Sequence, residues 1–252
     1  MDSSSLKGKT ALVTGASKRI GRAIAMSLAS EGMNVIIHFN RSQKEASELC
    51  QLIKGQGVHS WTLSADFQKP EDYEYLLERA LQHAGAIDAL INSASIFPVD
   101  TLSDLTLRSL TRNIEINAWV PFLLGRSFAR LVGRGSIVNL VDSRIVNFDW
   151  NHVGYILSKH VLAVLTTMMA LEFAPSITVN AVAPGLILPP PGKDESYLDE
   201  RANTVPLRQH GDPRDVADAV VFLLKARFVT GETIYVDGGR NLKEYEIRQN
   251  SH

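Results

Sequence analysis

In this chain of 252 residues, 26 basic and 27 acidic side chains nearly cancel to a formal net charge of −1, which gives neither a nucleic-acid footprint nor a polybasic membrane anchor and points to a small-molecule partner. The single cysteine, Cys50, excludes an internal disulfide, and the opening MDSSSLKGKT lacks the apolar core of a secretory signal, so a reducing, cytoplasmic setting is expected. No run of about 18 apolar residues reads as a membrane-crossing helix, and the length suits one α/β domain over residues 1–252.

In chain order, apolar runs rich in Val, Ile and Leu recur as TALVT, NVIIHF, VHSWTLSA, IDALIN, GSIVNLV, ITVNAVA and ETIYVDG. Their length and composition read as buried strands. Between them RIGRAIAMSLASEG, SQKEASELCQLIKGQG, PEDYEYLLERALQHAG and GYILSKHVLAVLTTMMALEFAP have helical spacing, each closed by Gly or Pro. Strand and helix alternate six times. That pattern predicts a single Rossmann-type, doubly wound parallel sheet of about seven strands with helices on both faces, because each right-handed crossover lays a helix on the sheet. Ligands of such sheets bind beyond the carboxyl ends of the strands. The proline-rich stretch at about 184–210 resists the alternation and reads as a long loop of the lid type, and the polar tail at about 240–252 is expected to fray.

The first strand runs into TGASKRIG, where Gly15 allows a tight turn and Gly21 a close helix–strand approach. The helix that begins there offers free N–H groups to a pyrophosphate, the alternative being a helix cap with no ligand. Arg19 adds positive charge where phosphates would lie. After the second strand come Asn40, Arg41 and Ser42, with no acid for a ribose 2′-hydroxyl. Arg41 with Ser42, helped by Lys18 or Asn40, supplies donors for a 2′-phosphate, so NADPH is the expected cofactor; a solvated basic turn is the plainer alternative. Asp66, after the third strand, either accepts from an adenine amino group or is an ordinary turn residue.

Tyr155 and Lys159 share a helix face at i, i+4 after the fifth strand. A phenol with an unperturbed pKa near about 10 is a poor proton donor at neutral pH, and a neighbouring ammonium favours its phenolate. Lys159 is thus expected to acidify Tyr155 and to anchor a nicotinamide ribose. No histidine shows metal-ligand spacing, and no metal is expected.

TGASKRIG, INSAS, Asn117 in EINAWVPF, Tyr155 with Lys159, NAVAPG and VTGETIYVDGG stand in an order and spacing that resembles the short-chain dehydrogenase/reductases, from Lys7 to Gly239. The resemblance implies that Asn117 positions Lys159 through a water relay and that Pro184 and Gly185 line the nicotinamide. It further implies that Ile20, Asn92, Ala94 and Ser95 complete the cofactor site and that the protein is a homotetramer, with VLAVLTTMMALEF either core or part of a subunit interface. Two positions depart from the common pattern. Asp142 stands where most members carry a serine, with Ser143 expected to point to the other side. In NSASIF, Ser95 replaces a glycine and Phe97 follows. Together with Arg19 and the HFNRS turn, these departures are similar to the pteridine reductase branch, including dihydromonapterin reductases. That branch implies hydride delivery from NADPH to a pterin ring carbon, with Tyr155 as proton donor in an Asp142-linked network. Phe97 would stack on the ring, Arg19 and Ser95 would touch phosphate or the ring edge, and Leu186 would line the substrate.

An ionised carboxylate beside Tyr155 would repel the charge developing on a carbonyl oxygen. A pterin, with its rim of N–H and amino donors, suits an acceptor, or a carboxyl that moves a proton if burial raises its pKa. Three alternatives stand beside this. In one, Asp142 is a loop cap while Ser143 reaches the substrate; in another, the enzyme is a ketoreductase, such as one for 3-oxoacyl thioesters. A non-catalytic NADPH-binding regulator is the last, although such a protein has no need of Asn117, Tyr155 and Lys159.

Overall fold

Residues 5–190 and 192–242 are described by the structure, a computed structural model. Its strands are β1 (Thr10–Val13), β2 (Asn34–Phe39), β3 (Ser60–Ser64), β4 (Ala89–Asn92), β5 (Gly135–Leu140), β6 (Ile177–Pro184) and β7 (Thr233–Val236). All pair in parallel, in the order β3-β2-β1-β4-β5-β6-β7. All seven apolar runs are therefore strands of one sheet. The order reverses between β1 and β4, which opens a crevice at their carboxyl ends.

The helices are α1 (Arg19–Ser30), α2 (Gln43–Lys54), α3 (Pro70–Tyr73), α4 (Leu76–Ala84), α5 (Leu107–Ile114), α6 (Val120–Leu131), α7 (Val153–Glu172), α8 (Ser196–Ala202) and α9 (Pro213–Lys225). Alternation along each strand decides which helices cover which face. Ala11, Val13, Val35, Ile37 and Ile91 turn toward Ile24 and Leu28 of α1, Leu49 and Ile53 of α2, and Val216 and Val220 of α9. Leu12, Ile36, Leu90, Ile137 and Val179 turn to the other face, against Leu76 of α4, Leu124 and Phe128 of α6 and Met169 of α7. Burial on both faces explains why the strands read as continuous apolar runs. Helix ends follow local chemistry: Gly85, at φ +76°, stops α4, and Asp212 with Asp215 forms a capping box around Pro213 at the start of α9.

Two expectations are corrected. PEDYEYLLERALQHAG forms two helices, α3 and α4, because the chain leaves helical geometry at Tyr75. The proline-rich stretch carries α8, and Leu186, Leu198 and Val205 close into a small buried cluster of its own. α7 is long and apolar enough to cross a membrane by length and composition. It is nevertheless a core helix, since it buries Ile156, Leu162, Thr166 and Met169 together with the polar Ser158 and Lys159.

Between α5 and α6 the helix widens into a π-turn, Glu115–Trp119, which carries the fully buried Asn117. A 3₁₀ turn, Ser143–Val146, begins three residues after the last residue of β5 and is capped by Asp142, whose side chain accepts the Arg144 N–H. Both irregular turns pack against α7.

Candidate active site

At the carboxyl end of β1, Gly15 holds φ +63°, and a Cβ there would come within 2.8 Å of Ala94 Cα. A Cβ on Gly21 would lie 2.3 Å from Gly15 O. Both positions therefore need glycine for close approach rather than for flexibility alone. Arg19 also takes a left-handed φ, +54°, at the point where a glycine is commoner. Thr14 Oγ1 accepts the N–H groups of Ser93 and Ala94, each at 3.0 Å, and so fastens the loop after β4 against the glycine turn. Lys18, the N-cap of α1, makes no side-chain cap bond, which leaves the first-turn N–H groups for an anion.

Beneath this turn lies His38, for which the sequence offers no role beyond its lack of metal-ligand spacing. Its Nδ1 accepts the Gly15 N–H at 3.1 Å, so Nε2 is the donor to Ala65 O, also at 3.1 Å. Burial lowers its pKa to about 4, and the neutral ring stacks on Phe67. At the β2 end, Arg41 is exposed, Ser42 caps α2 without using its hydroxyl, and Asn40 donates to Asp66 Oδ1 at 3.2 Å. Lys18 pairs with Glu45 at 2.7 Å. The glycine turn, the uncapped helix start and the basic Arg41–Ser42 corner are the donor set and close-approach geometry that a phosphorylated dinucleotide requires.

Across the switch point a cleft of about 170 Å³ gathers Arg19, Ile20, Ser95, Asp142, Tyr155, Lys159, Pro184 and Gly185. Arg19 reaches over it and donates to Pro189 O at 2.7 Å, linking α1 to the proline-rich segment. Leu186 is turned away into the Leu198–Val205 cluster, and Ile187 and Leu188 line the cleft in its place. Asn92, the last residue of β4, is buried, and its side chain donates to Asn139 Oδ1 at 2.8 Å.

Asp100 fixes the start of α7: its Oδ1 accepts the Gly154 N–H at 2.9 Å and its Oδ2 the Ser109 hydroxyl at 2.8 Å. The Asn117 side chain accepts from Ile96 N at 2.8 Å and donates to Ser158 Oγ at 3.0 Å. Its direct contacts are thus with Ser158 and the Ile96 backbone, not with Lys159. Lys159 Nζ donates to Leu140 O at 2.6 Å and sits 5.7 Å from the centre of the Tyr155 ring. Tyr155 OH donates to Asp142 Oδ2 at 3.0 Å. Phe97 stands at the rim, its face on the His152 ring at 3.7 Å and its ring perpendicular to Tyr155 at 4.5 Å.

Asp142 is held by Arg144, a residue that the sequence reading did not single out. Oδ1 accepts the Arg144 backbone N–H at 2.9 Å and Nε at 3.0 Å, while Oδ2 accepts Nη2 at 3.0 Å beside the Tyr155 hydroxyl. From its other side the guanidinium donates to Asp149 Oδ2, which also binds His152 Nδ1 at 2.9 Å. Burial alone would raise the Asp142 carboxyl, but the charge and donors of Arg144 outweigh it and hold the group below its ordinary range. Burial first, and the Asp142 charge second, push the Tyr155 hydroxyl well above its ordinary value. Burial also brings Lys159 down to about 8. The expectation that Lys159 acidifies Tyr155 is thereby overturned in this state, because a buried phenol beside a carboxylate keeps its proton. A burial-raised Asp142 is likewise ruled out by its arginine partner.

Residues 15–241 match the family model described as Enoyl-(Acyl carrier protein) reductase. The chain is 32% identical to glucose 1-dehydrogenase 2 of Bacillus subtilis, over 94% of this chain and 96% of the relative. It is 33% identical to the 3-oxoacyl-acyl-carrier-protein reductase FabG of Staphylococcus epidermidis, over 92% and 98%. Among solved structures, FolM alternative dihydrofolate reductase 1 from Brucella canis, complexed with NADP, superposes with a TM-score of 0.91 at 29% identity, covering 99% of this chain and 100% of that one.

Proposed function

The chain belongs to the short-chain dehydrogenase/reductase family, and on that premise we propose that this NADP-dependent oxidoreductase reduces a pterin: an oxidised or 7,8-dihydropterin, dihydrofolate included. The observation that carries the pterin reading is the Tyr155 hydroxyl donating to the Asp142 carboxylate at 3.0 Å. A carbonyl reductase needs a second hydroxyl donor at that place. Ser143, whose hydroxyl is next to Asp142 in the chain, is buried and does not line the cleft. The likeness to the FolM reductase supports the same reading. The relatedness to the 3-oxoacyl reductase favours a second one, reduction of a carbonyl thioester.

NADPH, when bound, supplies the hydride. In this proposal Gly15, Arg19, Ile20 and Gly21 hold its pyrophosphate, and Arg41 with Ser42, near Lys18 and Asn40, holds the 2′-phosphate. Asp66 receives the adenine edge. The chain at Asn92, Ala94 and Ser95 faces the nicotinamide half, with Lys159 on the ribose and Pro184 and Gly185 on the ring. Tyr155 delivers the proton, Asp142 orients the substrate, and Asn117 supports the loop that carries Phe97. The proposed assembly is a homotetramer.

The test is NADPH oxidation by purified protein offered a 7,8-dihydropterin and an acetoacetyl thioester in parallel, with Asp142→Ser as the control. Pterin turnover that falls about tenfold or more in the variant is expected. Turnover of the thioester alone would move the function to carbonyl reduction.

A further inference from the structure

A carboxylate has about four lone-pair positions for hydrogen-bond donors. Those of Asp142 are all taken, three by Arg144 and one by Tyr155. Arg144 is clamped between Asp142 and Asp149, and Asp149 is fixed in turn by His152 and by the Asn151 N–H at 2.9 Å. An arginine does not release a proton in a protein. No proton therefore leaves Asp142 through Arg144, and the carboxylate acts as a fixed acceptor rather than an acid. The one exchangeable bond is that of Tyr155. When its hydroxyl turns to a substrate nitrogen, the freed Oδ2 position can take an N–H or amino donor from the same ring.

We propose that Arg144 is a specificity-determining residue: by holding Asp142 as an acceptor, it selects substrates that bring N–H donors to the Tyr155 hydroxyl and turns away bare carbonyl groups. The inference rests on the pterin reading above. Other charged or titratable groups around Asp142 are Tyr155 and Lys159 from α7, Asp149 and His152 from the loop before it, and Arg240 from the 3₁₀ turn Arg240–Leu242. With the Arg144 side chain replaced, these remain, as does the backbone N–H of residue 144, but the carboxyl loses the Nε and Nη2 donors and its nearest cation. It would keep its proton to higher pH and present an O–H, the donor that carbonyl reduction uses.

The experiment compares wild type, Arg144→Met and the conservative Arg144→Lys with both substrates as a function of pH. In Arg144→Met the ratio of thioester to pterin kcat/KM should rise about tenfold or more. The rise should be greatest at low pH, with Arg144→Lys staying near wild type. A ratio that stays within about twofold while both activities fall together would make Arg144 merely structural and overturn the proposal. Infrared difference titration of Arg144→Met against Arg144→Met/Asp142→Asn reads the same claim without turnover. An Asp142 carboxyl that does not titrate higher than in wild type overturns it. If Arg144→Met does not fold, Arg144→Gln carries both measurements. A wild type that reduces only the thioester would sink the pterin reading itself, whereas pterin turnover with an unmoved ratio would sink only the role of Arg144.

Discussion

In the proposed cofactor site, Arg41 is the side chain on which cofactor preference turns. It is exposed at the β2 end beside the unused Ser42 hydroxyl, and a charge-assisted bond to a phosphate is worth roughly 1.5–3 kcal/mol. Arg41→Ala should therefore raise the KM for NADPH by about tenfold or more while leaving that for NADH nearly unchanged. Steady-state kinetics with both cofactors decides this, and an equal loss for both would remove the assignment. At the same scale, Tyr155, Lys159 and Asp142 were legible because helical periodicity and strand ends place them together. Arg144 was not. A basic residue two positions from an acid is ordinarily a solvated pair of little worth, and only the tight turn capped by Asp142 folds this one back into a buried clamp.

Among elements, the segment from the Ser143–Val146 turn to His152 shapes the site most. Its closing group is Asp149. Burial opposes its charge, but the His152 hydrogen bond and then Arg144 hold its carboxyl down, to about 2. A carboxyl depressed in the folded state stabilises the fold above its unfolded pKa, and that stability is lost as pH falls toward the folded value. The stability difference between wild type and Asp149→Asn should accordingly shrink by about 2 kcal/mol between about pH 5 and pH 2. Denaturant unfolding at the two pH values measures it, and a constant difference would show that the clamp carries no net stabilisation. The strands were readable because both sheet faces are buried. α8 was not, because its N-cap, Glu195, makes no side-chain bond and its apolar Leu198 finds Leu186 and Val205 only through the folded loop. The π-turn under Asn117 likewise leaves no periodic mark in so short a stretch.

Over the whole molecule, α7 buries one side in the core and leaves Leu157, Val161, Val164, Met168 and Leu171 exposed at alternating four- and three-residue steps. Such a stripe fits a helix packed against a partner helix, and it supports the proposed homotetramer. Met168→Glu should shift the protein to a smaller species in light scattering coupled to size exclusion, with the fold retained by circular dichroism. A wild type that already runs as a monomer would end that proposal. The strand order has a different consequence. The corner proposed to receive the adenosine end is carried by residues 10 to 66, from β1 to just past the end of β3, whereas the proposed reacting groups sit beyond β5 and on α7. Each half is thus a contiguous stretch of chain with its own helices, so a lineage could exchange its nucleotide preference or its substrate by altering one stretch and inheriting the other unchanged.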